Sequence, residues 1–155
     1  MTDFYRVNVR VHWADTDAAG IVWFGNFLRF FEEAEDEMFR ALGRTRLELA
    51  RDFGILMPRL EANCRYRSPA RAEEVLVVGI GVHELTERRL SYQFEVHEHD
   101  LNRLVCEGSY RVACVSADTF KPRDFPPAMR LLIKRLPSII AEQTSEPRRV
   151  LPGWT

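Results

Sequence analysis

Hydrophobic and polar positions alternate over residues 5–13. Tyr5, Val7, Val9, Val11 and Trp13 fall on one face, and Arg6, Asn8, Arg10 and His12 on the other. That period of two predicts a half-buried strand. From about Asn26 the period lengthens: Phe27, Phe30, Phe31, Ala34, Met38, Ala41 and Leu42 recur at threes and fours, which makes one apolar helical stripe. Asn26 is placed to cap this helix at its start and Gly43 at its end. Roughly 17 residues at a rise of 1.5 Å span about 25 Å, so the stripe needs a partner surface as broad as a sheet.

A second, short helix is predicted over 46–53, closed by Gly54. Residues 60–67 alternate again, and Ser68-Pro69-Ala70-Arg71 breaks that strand. Further strands are predicted over 75–85, 90–97 and 104–114, with turns at 86–89 and 100–102. Gly108, inside the last of these, reads as a bulge or a point of close approach. A polar, proline-bearing loop fills 116–127. A C-terminal helix follows over 128–136, with Pro127 at its first position and Pro137 ending or kinking it. The predicted class is α+β, a five-stranded antiparallel curved sheet wrapped around one long helix.

Composition narrows the function classes. At 155 residues, 46% hydrophobic and 29% charged, the chain reads as one globular domain over 1–143 with a flexible tail over 144–155. A formal net charge of −1 gives no electrostatic case for nucleic acid or an anionic membrane. No apolar run approaches the roughly 20 residues of a membrane span, and the start lacks a basic-then-apolar leader. The three cysteines, 64, 106 and 114, are odd in number and scattered, so a reduced, cytoplasmic setting is expected.

Candidate chemistry concentrates between the first strand and the long helix. Asp15 and Asp17 stand one residue apart, followed by Ala18-Ala19-Gly20, then Trp23, Phe24 and Gly25 at the mouth of the helix. Two such acids in a turn ordinarily serve as Asx-turn and capping devices. The setting offers a second reading. Unpaired N–H groups at a helix N-terminus suit a developing oxyanion, and Gly25 has no side chain to obstruct a carbonyl. Asp17 then attacks that carbonyl or deprotonates a water that does so. A thioester is activated enough for a bare carboxylate, whereas an amide is not.

The run Asp15-Thr16-Asp17-Ala18-Ala19-Gly20-Ile21-Val22-Trp23-Phe24-Gly25-Asn26-Phe27 resembles the signature D-[TC]-D-x-x-G-[IV]-V-[YWF]-[YFH]-x-N-[YF] of the 4-hydroxybenzoyl-CoA thioesterase family of hotdog-fold enzymes. Strand order and length fit that family to about residue 135. The resemblance implies a hotdog acyl-CoA thioesterase without a cofactor or metal. It implies Asp17 as the catalytic carboxylate and the backbone N–H groups of Phe24 and Gly25 as oxyanion donors. Trp23, Phe24, Asn26 and Phe27 would meet the substrate, and the aromatic rings suit an aryl group such as benzoyl or hydroxybenzoyl. Phe24 stands where relatives often carry Tyr or His, so only a backbone role survives there. The family resemblance also implies a homotetramer, a dimer of dimers, with acyl-CoA at subunit interfaces.

Other polar groups carry weaker expectations. Glu32, Glu33, Glu35, Asp36 and Glu37 crowd one helix and read as a solvated face, with a helix glutamate as base the competing view. His97 and His99 share a strand face, but spacing suggests no third metal ligand; His83 reads as an ordinary strand histidine. Arg88, Arg89, Lys121 and Arg123 lie in turns where CoA phosphates could meet them. Two other functions fit the same fold: an acyl-CoA hydratase, which needs an Asp–His pair, and a non-catalytic acyl-thioester-binding module.

Overall fold

The computed structural model of the chain describes residues 3–145. In chain order the elements are β1 (Tyr5–Arg10), α1 (Asn26–Leu42), α2 (Arg46–Phe53), β2 (Ile55–Leu56), β3 (Arg59–Tyr66) and β4 (Val75–Leu85). Then come β5 (Arg89–Glu98), β6 (Leu104–Ala113), β7 (Val115–Ser116), α3 (Pro127–Lys134) and α4 (Leu136–Ser145). Five strands form one antiparallel sheet in the order β1-β4-β5-β6-β3. β2 and β7 make a separate two-stranded pair, too short to leave a periodic signal in the sequence.

α1 lies against one face of the sheet. Phe27, Phe30, Phe31, Ala34, Met38, Phe39 and Leu42 are buried, and the Phe31 ring stacks on Phe94 of β5 at 4.3 Å between centroids. Gly108 permits this approach. A Cβ there would lie 2.3 Å from the Asn63 carbonyl oxygen and 2.7 Å from the Phe31 ring. The glycine is thus a point of close approach between helix and sheet. At the far end of α1, Gly43 takes φ +102° and its N–H bonds back to the Arg40 carbonyl, a left-handed cap. Gly54 closes α2 in the same conformation.

Four expectations need correction. The first strand stops at Arg10, and Trp13 begins a single 3-10 turn with its side chain 88% exposed; Val11 keeps its buried place. Asn26 is the first helical residue and Gly25 the cap position. Glu35 is not on a solvated face: it is fully buried. Its carboxylate takes two hydrogen bonds from Arg59 of β3, at 2.5 and 3.1 Å, and lies 3.2 Å from Arg46 of α2. Burying a charge is tolerated only when it is paired in this way. Finally, of the two outcomes expected at Pro137 the helical region does not end there but is interrupted just before it, at Arg135. α3 stops at Lys134, and Pro137 sits in the first turn of α4, where a missing N–H costs nothing. Residues 144 and 145 complete α4; the remainder of the expected tail, 146–155, lies outside the described residues.

Candidate active site

The loop between β1 and α1 is held by its own backbone. Thr16 and Val22 form an isolated antiparallel bridge. Inside it the Asp17 N–H donates to the Ile21 carbonyl and the Gly20 N–H to the Asp17 carbonyl, each at 2.9 Å. Residues 17–20 are therefore a β-turn, and Gly20 at φ +78° takes a conformation that strains any side chain. The Val22 N–H donates to the Ala70 carbonyl at 2.8 Å. This ties the loop to the Ser68-Pro69-Ala70-Arg71 stretch that follows β3. Arg103 holds that stretch in turn, donating to the Pro69 carbonyl and the Ser68 hydroxyl at 2.6 Å.

The two acids of the loop have different surroundings. Asp15 is buried. Its carboxylate accepts the His12 N–H at 2.8 Å and pairs with the Arg29 guanidinium from the first turn of α1. Its carbonyl accepts the Trp23 N–H at 2.9 Å and the Asn26 side-chain amide at 2.8 Å. Asp15 thus joins the loop to the helix start through three contacts, with a fourth to His12 on the strand side. Asp17 is half-buried. One carboxylate oxygen, Oδ1, accepts the Ala19 N–H at 2.9 Å, an Asx-turn. Among the described residues its other oxygen accepts no hydrogen bond and no cation pairs with it.

The helix mouth carries the donors and the rings. Asn26 N–H donates to the Trp23 carbonyl at 2.9 Å, but the Phe24 and Gly25 N–H groups have no acceptor among the described residues. Unpaired donors at a helix start are the normal consequence of helix geometry. The indole of Trp23 lies over Gly25, so that a Cβ on Gly25 would meet the ring at 2.3 Å. Trp23 and Phe24 rings are 5.0 Å apart, and Tyr66 at the end of β3 stands edge-on to both Phe24 (6.4 Å) and Phe27 (5.7 Å). Phe24 is 62% exposed and Tyr66 50%. Together they form an aromatic shelf beside the two free N–H groups.

Tyr66 was not among the residues picked from the sequence. Its alternation with Ala62 and Cys64 gave only its strand face. Its partner, the Phe24 carbonyl at 2.9 Å, is 42 residues away in the chain. Below Tyr66 the Cys64 and Cys106 sulfurs are 3.6 Å apart. Their hydrogen bond holds the half-buried Cys64 thiol below its usual range, and together with burial pushes the Cys106 thiol well up.

The sequence candidates divide into two groups in space. Trp23, Phe24, Gly25, Asn26 and Phe27 come together at the mouth of α1, and Asp17 stands in the turn that precedes it, beyond the Thr16–Val22 bridge. The Asn26 amide is occupied by Asp15 and Phe27 is buried. The four basic residues lie elsewhere. Arg89 opens β5 and Arg88 precedes it, whereas the Asp17 loop attaches beyond the strand's other end, through Ala70, Ser68 and Arg103. A ten-residue strand separates them by roughly 30 Å. Arg88 pairs with Asp124 at 2.7 Å, and Arg123 donates to the Phe53 and Gly54 carbonyls at 3.0 and 3.3 Å. Arg89 and Lys121 are exposed. Within one chain this cluster cannot reach a ligand that Asp17 touches unless the ligand is about that long.

The family of the chain follows from its likeness to known proteins. Residues 11–133 match the model of the thioesterase-like superfamily. The chain belongs to this superfamily, whose fold is the hotdog fold, and this membership puts it among the thioester hydrolases. A 1,4-dihydroxy-2-naphthoyl-CoA hydrolase of Thermosynechococcus vestitus is 33% identical over 104 residues, covering 67% of this chain and 69% of the relative. The acyl-CoA thioesterase YbgC of Haemophilus influenzae is 27% identical over 128 residues, covering 83% and 93%. In fold the chain is similar to Slr0204 of Synechocystis, a 1,4-dihydroxy-2-naphthoyl-CoA thioesterase, with a TM-score of 0.80 at 20% identity over 86% of this chain and 98% of that one.

Proposed function

We propose that this protein hydrolyses the thioester of an acyl-CoA to the free acid and CoA, with Asp17 as the catalytic carboxylate. The observation that carries this reading is the contrast between the two loop acids. Asp15 is consumed by Arg29, His12 and the helix start, whereas among the described residues Asp17 keeps one carboxylate oxygen without a partner and has no cation to blunt it. Its Asx-turn fixes the carboxylate before any substrate arrives, which preorganises it for attack. The Phe24 and Gly25 N–H groups receive the thioester oxygen as it gains charge. Either Asp17 attacks the carbonyl carbon, the CoA thiolate leaves and water opens the resulting anhydride, or Asp17 takes a proton from a water that attacks. Both routes use the same geometry and no cofactor.

The acyl group is an aryl group in this reading. Trp23, Phe24 and Tyr66 offer flat, partly exposed faces, and aromatic pairs of this kind are worth about 0.5–1.5 kcal/mol beyond area burial. The naphthoyl-CoA activity named for the Thermosynechococcus relative supports the same direction. α1 serves as the central helix of a hotdog domain spanning 1–143, with the sheet curving around it. The working form is a cytoplasmic homotetramer. β3 is an edge strand, hydrogen-bonded on one side to β6 and largely exposed, an arrangement suited to pairing with a second copy. A second copy would also bring Arg88, Arg89, Lys121 and Arg123 within reach of the CoA phosphates, which one chain alone does not.

The test is a panel of benzoyl-, hydroxybenzoyl-, naphthoyl-, phenylacetyl-, short and long acyl-CoAs, followed by release of free thiol. Fastest release from an aryl-CoA supports the reading. Release only from long-chain substrates overturns the aryl assignment. Hydration of a 2-enoyl-CoA without thiol release would make the protein a hydratase, and absence of any turnover with tight acyl-CoA binding would make it a binding module.

A further inference from the structure

We infer that Tyr66 is a positioning residue for the oxyanion donors: its hydroxyl, by holding the Phe24 carbonyl, fixes the direction of the Gly25 N–H. The inference rests on the proposed thioesterase reading and extends it to a residue outside the loop that carries Asp17.

The Phe24 carbonyl and the Gly25 N–H belong to one planar peptide group, and no peptide bond among the described residues is cis. In a trans peptide the C=O and the N–H point in opposite directions, and the whole plane turns as one body. A hydrogen bond to the carbonyl therefore sets where the N–H points. Within the loop the Asn26 N–H bond to the Trp23 carbonyl closes a turn around this peptide, but no loop group bonds the Phe24 carbonyl or the Gly25 N–H among the described residues. Gly25 precedes the first helical residue, its N–H has no acceptor among the described residues, and glycine leaves the plane freer to rock. The hydrogen bond from Tyr66 at 2.9 Å is the restraint that comes from outside the segment.

Tyr66 is suited to hold the plane still. It ends β3 and pairs with Cys106 of β6, so it is mounted on the sheet rather than on the loop. Its ring is flanked by Phe24 and Phe27, which restrict its rotation. Burial, and then the neighbouring Cys64, push the phenol up to about 12, so the hydroxyl remains a donor across the working range of pH. The sheet thereby sets the geometry of a helix-mouth site from 42 residues away. Rigid support of this kind is what keeps an oxyanion hole effective, since a donor misplaced by about 1 Å loses most of its advantage.

Tyr66→Phe keeps the ring and removes only the hydroxyl, while Tyr66→Leu removes both. With an aryl-CoA substrate, Tyr66→Phe is expected to lower kcat about tenfold with KM changed less than twofold, because the donor is misaligned and the shelf remains. Tyr66→Leu is expected to raise KM as well. The Phe24 carbonyl ¹³C and Gly25 amide ¹⁵N resonances are expected to move in Tyr66→Phe without substrate present. Unchanged resonances overturn the inference whatever the activity, and so does an unchanged kcat in Tyr66→Phe alongside an inactive Asp17→Asn. If Asp17→Asn is instead as active as the unsubstituted protein, the assignment of Asp17 as the catalytic carboxylate fails, while the resonances still decide whether Tyr66 orients the peptide.

Discussion

Two acids with identical side chains and one residue between them end in different roles because of what each can reach. Asp15 faces inward at the start of α1, where Arg29 and the His12 N–H find it. Asp17 lies one turn outward and finds only the Ala19 N–H. Replacing Asp15 with alanine removes the acceptor of the part-buried His12 N–H and the nearest carboxylate partner of the half-exposed Arg29 guanidinium. The expected cost is about 2 kcal/mol, read as a lowered midpoint in urea or heat, with activity falling because the loop no longer registers against the helix. The sequence motif carried the inequality of the two acids as an implication of family resemblance. It could not carry the Arg29 pairing, which depends on a helix turn folding back over the loop. Tyr66 was illegible for a similar reason, since nothing local to residue 66 refers to residue 24. Glu35 was misread because five acids in six residues look like a solvated face. Arg59 from β3, together with Arg46 from α2, makes burial of one of them tolerable.

Among the elements, strand and helix periods located the five sheet strands and α1 to within a few residues. Boundaries failed where tertiary contacts override local pattern. Trp13 continues the alternation of β1 in the sequence, yet the chain turns at His12 because the Asp15 carboxylate captures the His12 N–H. Pro137 looks like a terminator, yet a first-turn position suits it. Gly108 was legible as a special point and is explained by packing: α1 and β6 approach there more closely than a Cβ allows. Gly108→Val should therefore displace Phe31 from its stack on Phe94 and push β6 from β3. A loss of about 3 kcal/mol or more in unfolding free energy is expected, measured by chemical denaturation. A milder effect, below about 1 kcal/mol, would mean that the helix can back away from the sheet without cost.

The whole molecule poses a distance problem that a single chain does not solve. The aromatic shelf and Asp17 are at one end of the sheet and the basic turns at the other. If CoA is held between copies, Arg89→Glu and Lys121→Glu should raise KM for an acyl-CoA severalfold, and more strongly at low salt. They should leave KM for the corresponding acyl-pantetheine thioester, which lacks the nucleotide phosphates, unchanged. Sedimentation should give the mass of a tetramer under the same conditions. A monomer with full activity would require the phosphates to be bound near Asp17 instead. Contacts such as that of Arg88 with Asp124 could not be read from periodicity, because they join residues far apart in the chain. Among the described residues no helix is long and apolar enough to cross a membrane.

The account stands on one carboxylate. Steady-state hydrolysis of an aryl-CoA by Asp17→Asn, compared with the unsubstituted protein at equal concentration and with unfolding midpoints checked in parallel, tests it most directly. The amide retains the size and the Asx-turn acceptor of the acid but neither attacks nor takes a proton. The expected result is a fall in kcat of about a thousandfold or more with the unfolding midpoint essentially unmoved. Turnover within a few fold of the unsubstituted protein would contradict the account.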